Sequence, residues 1–193
     1  MGMQFLITMA DNHKLNIVDE DGKIIGEETR ESIHQQGLLH REIHVYLYTP
    51  NGEIIFQHRA KDKDTYPDLL DATVGGHVEI GSDYESAALQ ELEEETGIQA
   101  EKNNLVFIQM VRSKSFDTAT NKTNNVIRAI YAYPYNGKVE DLRIEKGKAI
   151  GFESWPLEKI FDASGEDRKR FIPSLLEKHT LEIFARIKKM SAV

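Results

Sequence analysis

The stretch GGHVEIGSDYESAALQELEEETGI, residues 75–98, decides how this chain is read. DYESAALQELEEETG within it predicts a helix closed by Gly97. At about 100° per residue, Glu91, Glu94 and Glu95 fall at roughly 0°, 300° and 40°, so three carboxylates share one arc of about 100°. Glu93 points the other way, and Ala88, Leu89 and Leu92 form an apolar stripe beside the acidic face. Such a helix buries one side against a sheet and holds its carboxylates over an adjoining groove. Like charges at these spacings repel, and more strongly where solvent is limited. No Lys or Arg lies between Arg59–Lys63 and Lys102, so sequence neighbours cannot neutralise the cluster. The economical counter-charge is Mg²⁺ or Mn²⁺, hard ions that carboxylate oxygens bind and that suit phosphate substrates. The bland alternative is a solvated helix face, and the flanking sequence decides against it.

Working outward, LNIVDEDGKIIG reads as a hairpin about a DEDG turn, and EETRESIHQQG as a short helix ended by Gly37. HREIHVYLYT and EIIFQHRA flank a PNG turn as two further strands. ATVGGHVEI is a short strand and turn; NLVFIQMVRS and NVIRAIYAYP are strands on either side of a polar segment, Lys114 to Asn125, expected to be a functional loop. GKAIGFESW is another strand, and helices at PLEKIFDA and over 170–190 finish the chain. Interspersed strands and helices make the class α/β or α+β, with a mixed sheet between helices. Residues 1–13 are expected to be loose and 14–190 to form one domain: a hairpin and helix over 14–37, a core over 38–162 and the C-terminal helix. No G-x-G-x-x-G opens a helix, so a Rossmann site has no support.

The chain has 193 residues, 24 basic against 32 acidic, for a net charge of −8, and no cysteine. That length favours one domain with a real core. Zero cysteine removes disulfides, thiolate metal sites and thiol nucleophiles, and it fits a reducing, cytoplasmic compartment. The acidic balance argues against a nucleic-acid partner. The apolar run Phe5 to Met9 is short for a signal peptide, and no stretch approaches the roughly 20 residues of a spanning helix, so no membrane partner is expected.

With those residues in view, the sequence resembles the Nudix hydrolase family. The family box is G, five residues, E, seven residues, R-E-U-x-E-E-x-G-U, with U a bulky aliphatic residue. It maps onto Gly76, Ser82, Gln90, Glu91, Leu92, Glu94, Glu95, Gly97 and Ile98, and seven of those nine positions match. The resemblance implies an α/β/α sandwich in which Glu91, Glu94, Glu95 and the Gly76 carbonyl bind the divalent ion. The implied reaction is hydrolysis of a phosphoanhydride, the ion offsetting developing charge and activating water. Glu94, Glu95 or a later-loop carboxylate, Glu145, would be general base. Ser82 and Gln90 stand where the family carries a Glu and an Arg that commonly pair. Replacing both halves with neutral groups can be nearly neutral, so the change reads as a compensated variant, with Glu79 and Glu85 as nearby candidates to supply the displaced charge.

Beyond the box, residues 15 to 165 look like the branch related to type I isopentenyl-diphosphate isomerase. His40 and His77 match that branch's metal-binding histidines, but Gly75 replaces its catalytic cysteine, so the isomerase proton relay cannot operate as it does there. The expectation is a small-molecule diphosphate substrate, nucleotide-linked or otherwise. His40, His77, Arg59, Lys61 and Lys63 are the candidate binding residues, and Tyr66, Phe116 or Tyr131 the candidates to stack on a base. The resemblance also raises a homodimer as the assembly to test. The alternative of another class is a Nudix-fold protein that binds a diphosphate without cleaving it.

Overall fold

The computed structural model describes residues 13–63 and 65–191. Residues 1–12, with the Phe5–Met9 run and most of the segment expected to be loose, lie outside the described residues. In chain order the elements are β1 (Lys14–Val18), β2 (Ile24–Thr29), α1 (Arg30–Gln36), β3 (His40–Tyr48), β4 (Glu53–Arg59), β5 (Leu70–Asp71), β6 (Val74–His77), α2 (Tyr84–Thr96), β7 (Val106–Asp117), β8 (Lys122–Pro134), β9 (Ala149–Pro156), α3 (Leu157–Phe161), α4 (Gly165–Lys169) and α5 (Lys178–Ser191).

β3 organises a mixed nine-stranded sheet. It runs parallel to β8 over its whole length, from His40↔Val126 to Tyr48↔Pro134, and every other strand pairing is antiparallel. Along its other edge the first half of β3 pairs with β6 (Glu42↔His77 to Val45↔Val74), while the last two residues pair with β4 (Leu47↔Ile55, Tyr48↔Ile54). β4 and β6 therefore share one edge of a single strand, and β6 leads directly into α2.

Both faces of the sheet are covered. Successive residues of a strand point to opposite faces, so Tyr46, Tyr48, Ile54 and Phe56 join Trp155, Phe171, Phe184 and Ile187 on one side. Val45, Leu47 and Ile55 join Ala88, Leu92 and Tyr131 on the other. This explains why IHVYLY reads as a nearly continuous apolar run and not as clean alternation. The layering is the expected helix–sheet–helix sandwich.

Two expectations are corrected. The polar segment Lys114 to Asn125 is no long loop, because β7 and β8 continue through it in register to Asp117↔Lys122. Asp117 accepts from the Ala119 amide at 2.8 Å and Asn121 turns the chain at φ 55°, so four residues close the hairpin. The C-terminal helix over 170–190 is interrupted. Pro173 opens a 3₁₀ turn to Leu176, Glu177 is extended, and α5 starts only at Lys178. Leu175 and Leu176, in the 3₁₀ turn, are both seated in the core.

Candidate active site

α2 is fixed at both ends. The Asp83 side chain accepts from the Ser86 amide at 2.7 Å, and Gly97, at φ 76°, takes the left-handed position where a side chain would be strained. Arg143 adds a cap absent from the sequence reading: its Nη2 donates to the carbonyls of Glu93 at 2.7 Å and Glu94 at 2.6 Å, a cation at the negative end of the helix. Ala87, Ala88 and Leu92 are buried against β3 and its neighbours, and this rotation carries Glu95 inward until it is 1% exposed.

Glu91 and Glu95 converge on one ammonium. Lys148 Nζ lies 2.7 Å from Glu95 Oε1, 3.3 Å from Glu91 Oε2 and 3.4 Å from Glu145 Oε2. Gln57 of β4 donates to the second oxygen of Glu95 at 2.6 Å. Burial pushes the Glu95 carboxyl up to about 7 and raises that of Glu91, in each case against the pull of Lys148. Burial also works against the charge on Lys148, but Glu95 and Glu91 more than offset it and hold its pKa above the ordinary value. The cation predicted for this helix is thus supplied within the fold by a lysine 53 residues after Glu95, where no local pattern pointed to it. Glu94 stays exposed and accepts from Gln90 Nε2 at 2.9 Å.

Gly76 is explained by contact. A Cβ there would overlap the Glu91 carboxylate, so the box glycine is what lets Glu91 lie against the β6 backbone. Ser82 and Gln90 do not pair with each other: Ser82 Oγ donates to the Asp83 carbonyl, and Gln90 braces Glu94. Glu79 faces His13 at 2.9 Å and Glu85 pairs with Lys102, so neither replaces the missing family charge.

His40 and His77 lie in a second cluster, with His34 of α1 as an unanticipated third member. One nitrogen from each comes within 4.8 Å of the others. The rings of His40 and His77 stack at 5.2 Å, and His34 meets both edge-on. His40 Nδ1 donates to the Leu38 carbonyl at 3.0 Å, which fixes the ring's orientation. Among the described residues, His40 Nε2 and His77 Nε2 are buried without hydrogen-bond partners, and Glu42 Oε1 lies 3.7 and 3.6 Å from them. The other Glu42 oxygen is held by Arg128 at 2.6 Å. Burial would raise the Glu42 pKa, but Arg128 and the two histidines hold it well below the carboxylate range. Burial lowers His77 to about 3 and lowers His34, so both rings are neutral at pH 7. A cavity of about 330 Å³, lined by His13, His77, Glu79, Gln90, Glu91 and Glu94, adjoins both groups.

The remaining binding candidates separate. Arg59 is committed to its own loop, with Nη1 on Asp71 at 2.9 Å, Nη2 on the Thr65 carbonyl at 2.7 Å and Nε on the Tyr66 carbonyl at 3.1 Å. Lys61 reaches toward Asp68, 4.0 Å away. Burial lowers the Lys63 pKa, and the charges of Arg59, Lys148 and Arg30 add to that effect. Tyr131 is corrected as a stacking residue: it is buried edge-on to Phe107 in the core. Tyr66 and Phe116 are exposed. Gln57, a polar residue interrupting EIIF in a buried strand, was a readable signal that the sequence analysis passed over.

The donor set suits a hard divalent cation: carboxylate oxygens from one helix face and one loop, a glycine cradle for Glu91, and an ammonium already nested among them. Mixed sheet, two helical layers and a glutamate-bearing helix beside the sheet fork together define a Nudix-type fold. Residues 38–175 match the family model described as "NUDIX domain", and the chain belongs to that family of hydrolases. It is 28% identical over 149 residues to an uncharacterised Nudix hydrolase of Clostridium acetobutylicum, covering 76% of this chain and 71% of that one. With one from Yersinia pestis it shares 39% identity over 84 residues, 44% of this chain and 46% of that one, so this match spans about half of the relative. A crystal structure from Deinococcus radiodurans shares the fold at TM-score 0.59 and 20% identity, over 83% of this chain and all of that one. The NUDIX domain of Shewanella oneidensis NrtR, crystallised with ADP ribose, does so at TM-score 0.52 and 15% identity, over 78% and 88%. Among the described residues, no helix is long and apolar enough to cross a membrane.

Proposed function

We propose that this chain is a Mg²⁺- or Mn²⁺-dependent hydrolase of an organic diphosphate, cleaving a phosphoanhydride by attack of water on phosphorus. The observation that carries the reading is the convergence of Glu91, Glu95 and Glu145 on a single positive charge beside the Gly76 cradle. When bound, the cation would offset charge developing on the phosphates and make water more acidic. Glu91, Glu95 and the Gly76 carbonyl would hold it, with Glu94 completing the set from the cavity side. Glu145 is the carboxylate that would take a proton from water, because its half-buried side chain reaches the box from a separate loop. Lys63 would hold the phosphates, with Lys61 at the loop's outer edge. Arg59 braces that loop instead of contacting substrate. A cytoplasmic location accords with the cysteine-free sequence, and a homodimer remains the assembly to test.

His34, His40 and His77 support a second reading of the same site, in which they hold a further cation of borderline character beside the substrate. Kinship with the isomerase-like branch is read from the same histidines. Isomerase chemistry itself is disfavoured at Gly75, which offers no thiol to carry the proton. The test is a phosphate-release screen over nucleoside diphosphates and triphosphates, nucleotide sugars, dinucleotides and isoprenoid diphosphates, with Glu95→Gln as blank. Metal-dependent release that Glu95→Gln loses is expected. Ligand binding without release at any metal concentration would favour the binding-protein alternative.

A further inference from the structure

Lys148 is presented to the glutamate box by a constrained backbone. Its amide closes a turn onto the Glu145 carbonyl at 3.1 Å, and Gly147 in that turn sits at φ 82°, where side chains are rarely found. Its carbonyl accepts from the Ala60 amide at 3.2 Å, which ties the loop before β9 to the end of β4. From that anchored Cα, the four-carbon stem places Nζ between Glu95 Oε1 and Glu91 Oε2. Gln57 holds the other Glu95 oxygen, so Oε1 is aimed at the ammonium and not free to rotate away. The Lys148 side chain is 32% exposed, which leaves it a path outward that buried Glu95 lacks.

A divalent ion ligated by carboxylate oxygens sits at about 2.0–2.6 Å from them. An ammonium 2.7 and 3.3 Å from the same oxygens occupies the same space with the same sign of charge. The two cannot be held there together.

We propose that Lys148 is a positioning residue acting as a tethered, exchangeable counter-cation. It holds Glu91 and Glu95 together before a divalent ion binds, leaves when the ion arrives, and so sets the box's affinity for metal. The proposal rests on the metal-dependent reading above. Because the competitor is attached to the chain, its effective concentration is high and constant, and the box discriminates against weakly bound cations. Glu145, on the same turn, gives the displaced ammonium a partner without movement of the backbone.

The experiment measures Mn²⁺ binding, by the electron paramagnetic resonance signal of free Mn²⁺, to wild type, Lys148→Met and Lys148→Arg. Lys148→Met is expected to bind about tenfold more tightly than wild type, within the usual range of coupling between linked sites. Lys148→Arg, which keeps a competing charge, stays close to wild type. In chelator, Lys148→Met melts below wild type, because the repulsion between Glu91 and Glu95 is unrelieved; saturating Mn²⁺ removes that difference. A purely structural lysine would give the lower melting temperature with Mn²⁺ binding unchanged or weaker, and that result overturns the exchange. If Lys148→Met does not fold, Lys148→Gln carries the comparison. Wild type that binds no Mn²⁺ at millimolar concentration removes the metal reading and the exchange with it. Wild type that binds while Lys148→Met binds no more tightly removes the exchange alone.

Discussion

The glutamate box and the histidine cluster lie on the same cavity and solve opposite electrostatic problems. In the box, acidic side chains gathered by one helix are partly buried and need a cation, which Lys148 supplies. In the cluster, the imidazoles of His40 and His77 face a carboxylate, Glu42, whose charge is already matched by Arg128. The box is therefore anionic by design of one helix face, whereas the cluster is a set of imidazoles held by elements far apart in the chain. Hard oxygen donors favour Mg²⁺ or Mn²⁺, and imidazoles favour later transition metals. A site that uses both presents two cations of different character to one substrate.

The sharpest way to break that contrast is to remove one donor from each side. Glu95→Gln is expected to lower phosphate release by about 10²–10³-fold, the scale of losing one preorganised charge at a reacting centre. His77→Gln should abolish transition-metal uptake measured by equilibrium dialysis but lower Mg²⁺-dependent release by less than about tenfold. Equal losses in the two assays would merge the regions into one functional unit.

Gly76→Ala tests the cradle. The added Cβ must push the Glu91 carboxylate away, so Mn²⁺ binding should weaken and stability fall by about 1–3 kcal/mol, as for other overpacked sites. Calorimetric titration and a urea melt read the two effects separately.

Titration distinguishes the regions by sign. His44 and His77 have folded pKa values depressed by burial, that of His77 to about 3. Their contribution is present above the unfolded value near 6.5 and is lost as pH falls below it, at up to about 1.4 kcal/mol per pH unit for each group. Glu95 is raised to about 7, so the folded state takes up its proton first and gains stability as pH falls from above 7 toward 4.5. In chelator, His44→Gln should flatten the loss of urea stability between pH 6.5 and 5, whereas Glu95→Gln should steepen it. The smallest effect is expected from Gln90→Ala. It removes an exposed hydrogen bond to Glu94 and should change kcat by a few-fold and stability by at most about 1 kcal/mol.

What the sequence made legible was what a single helix could encode. The Tyr84–Thr96 helix, its Gly97 stop and the shared face of Glu91, Glu94 and Glu95 follow from 3.6-residue periodicity, and the strand–turn pattern placed the sandwich. Lys148, Arg143 and His34 were illegible because they reach the site through strand pairing and loop docking, which leave no local spacing to count. The segment from Lys114 to Asn125 misled for a related reason. Its polar residues signalled a loop, yet an outer hairpin can be polar along its whole length when its backbone bonds are satisfied in register.

The family-matched region begins at residue 38, but His34 and Arg30 sit on α1, before it. That helix is docked by the Asn125 amide on the Gly37 carbonyl at 2.8 Å and by His34 against the Thr123 carbonyl. At the other end, Ile183, Phe184 and Ile187 of α5 fill the core beyond residue 175. A gene fragment trimmed to residues 38–175 would keep every glutamate of the box yet lose the His34 imidazole, Arg30 and a wall of the core. The segments on either side of the family-matched region are thus packed into the same body as the box, and a change in either would reach the site through the core and not through the box itself.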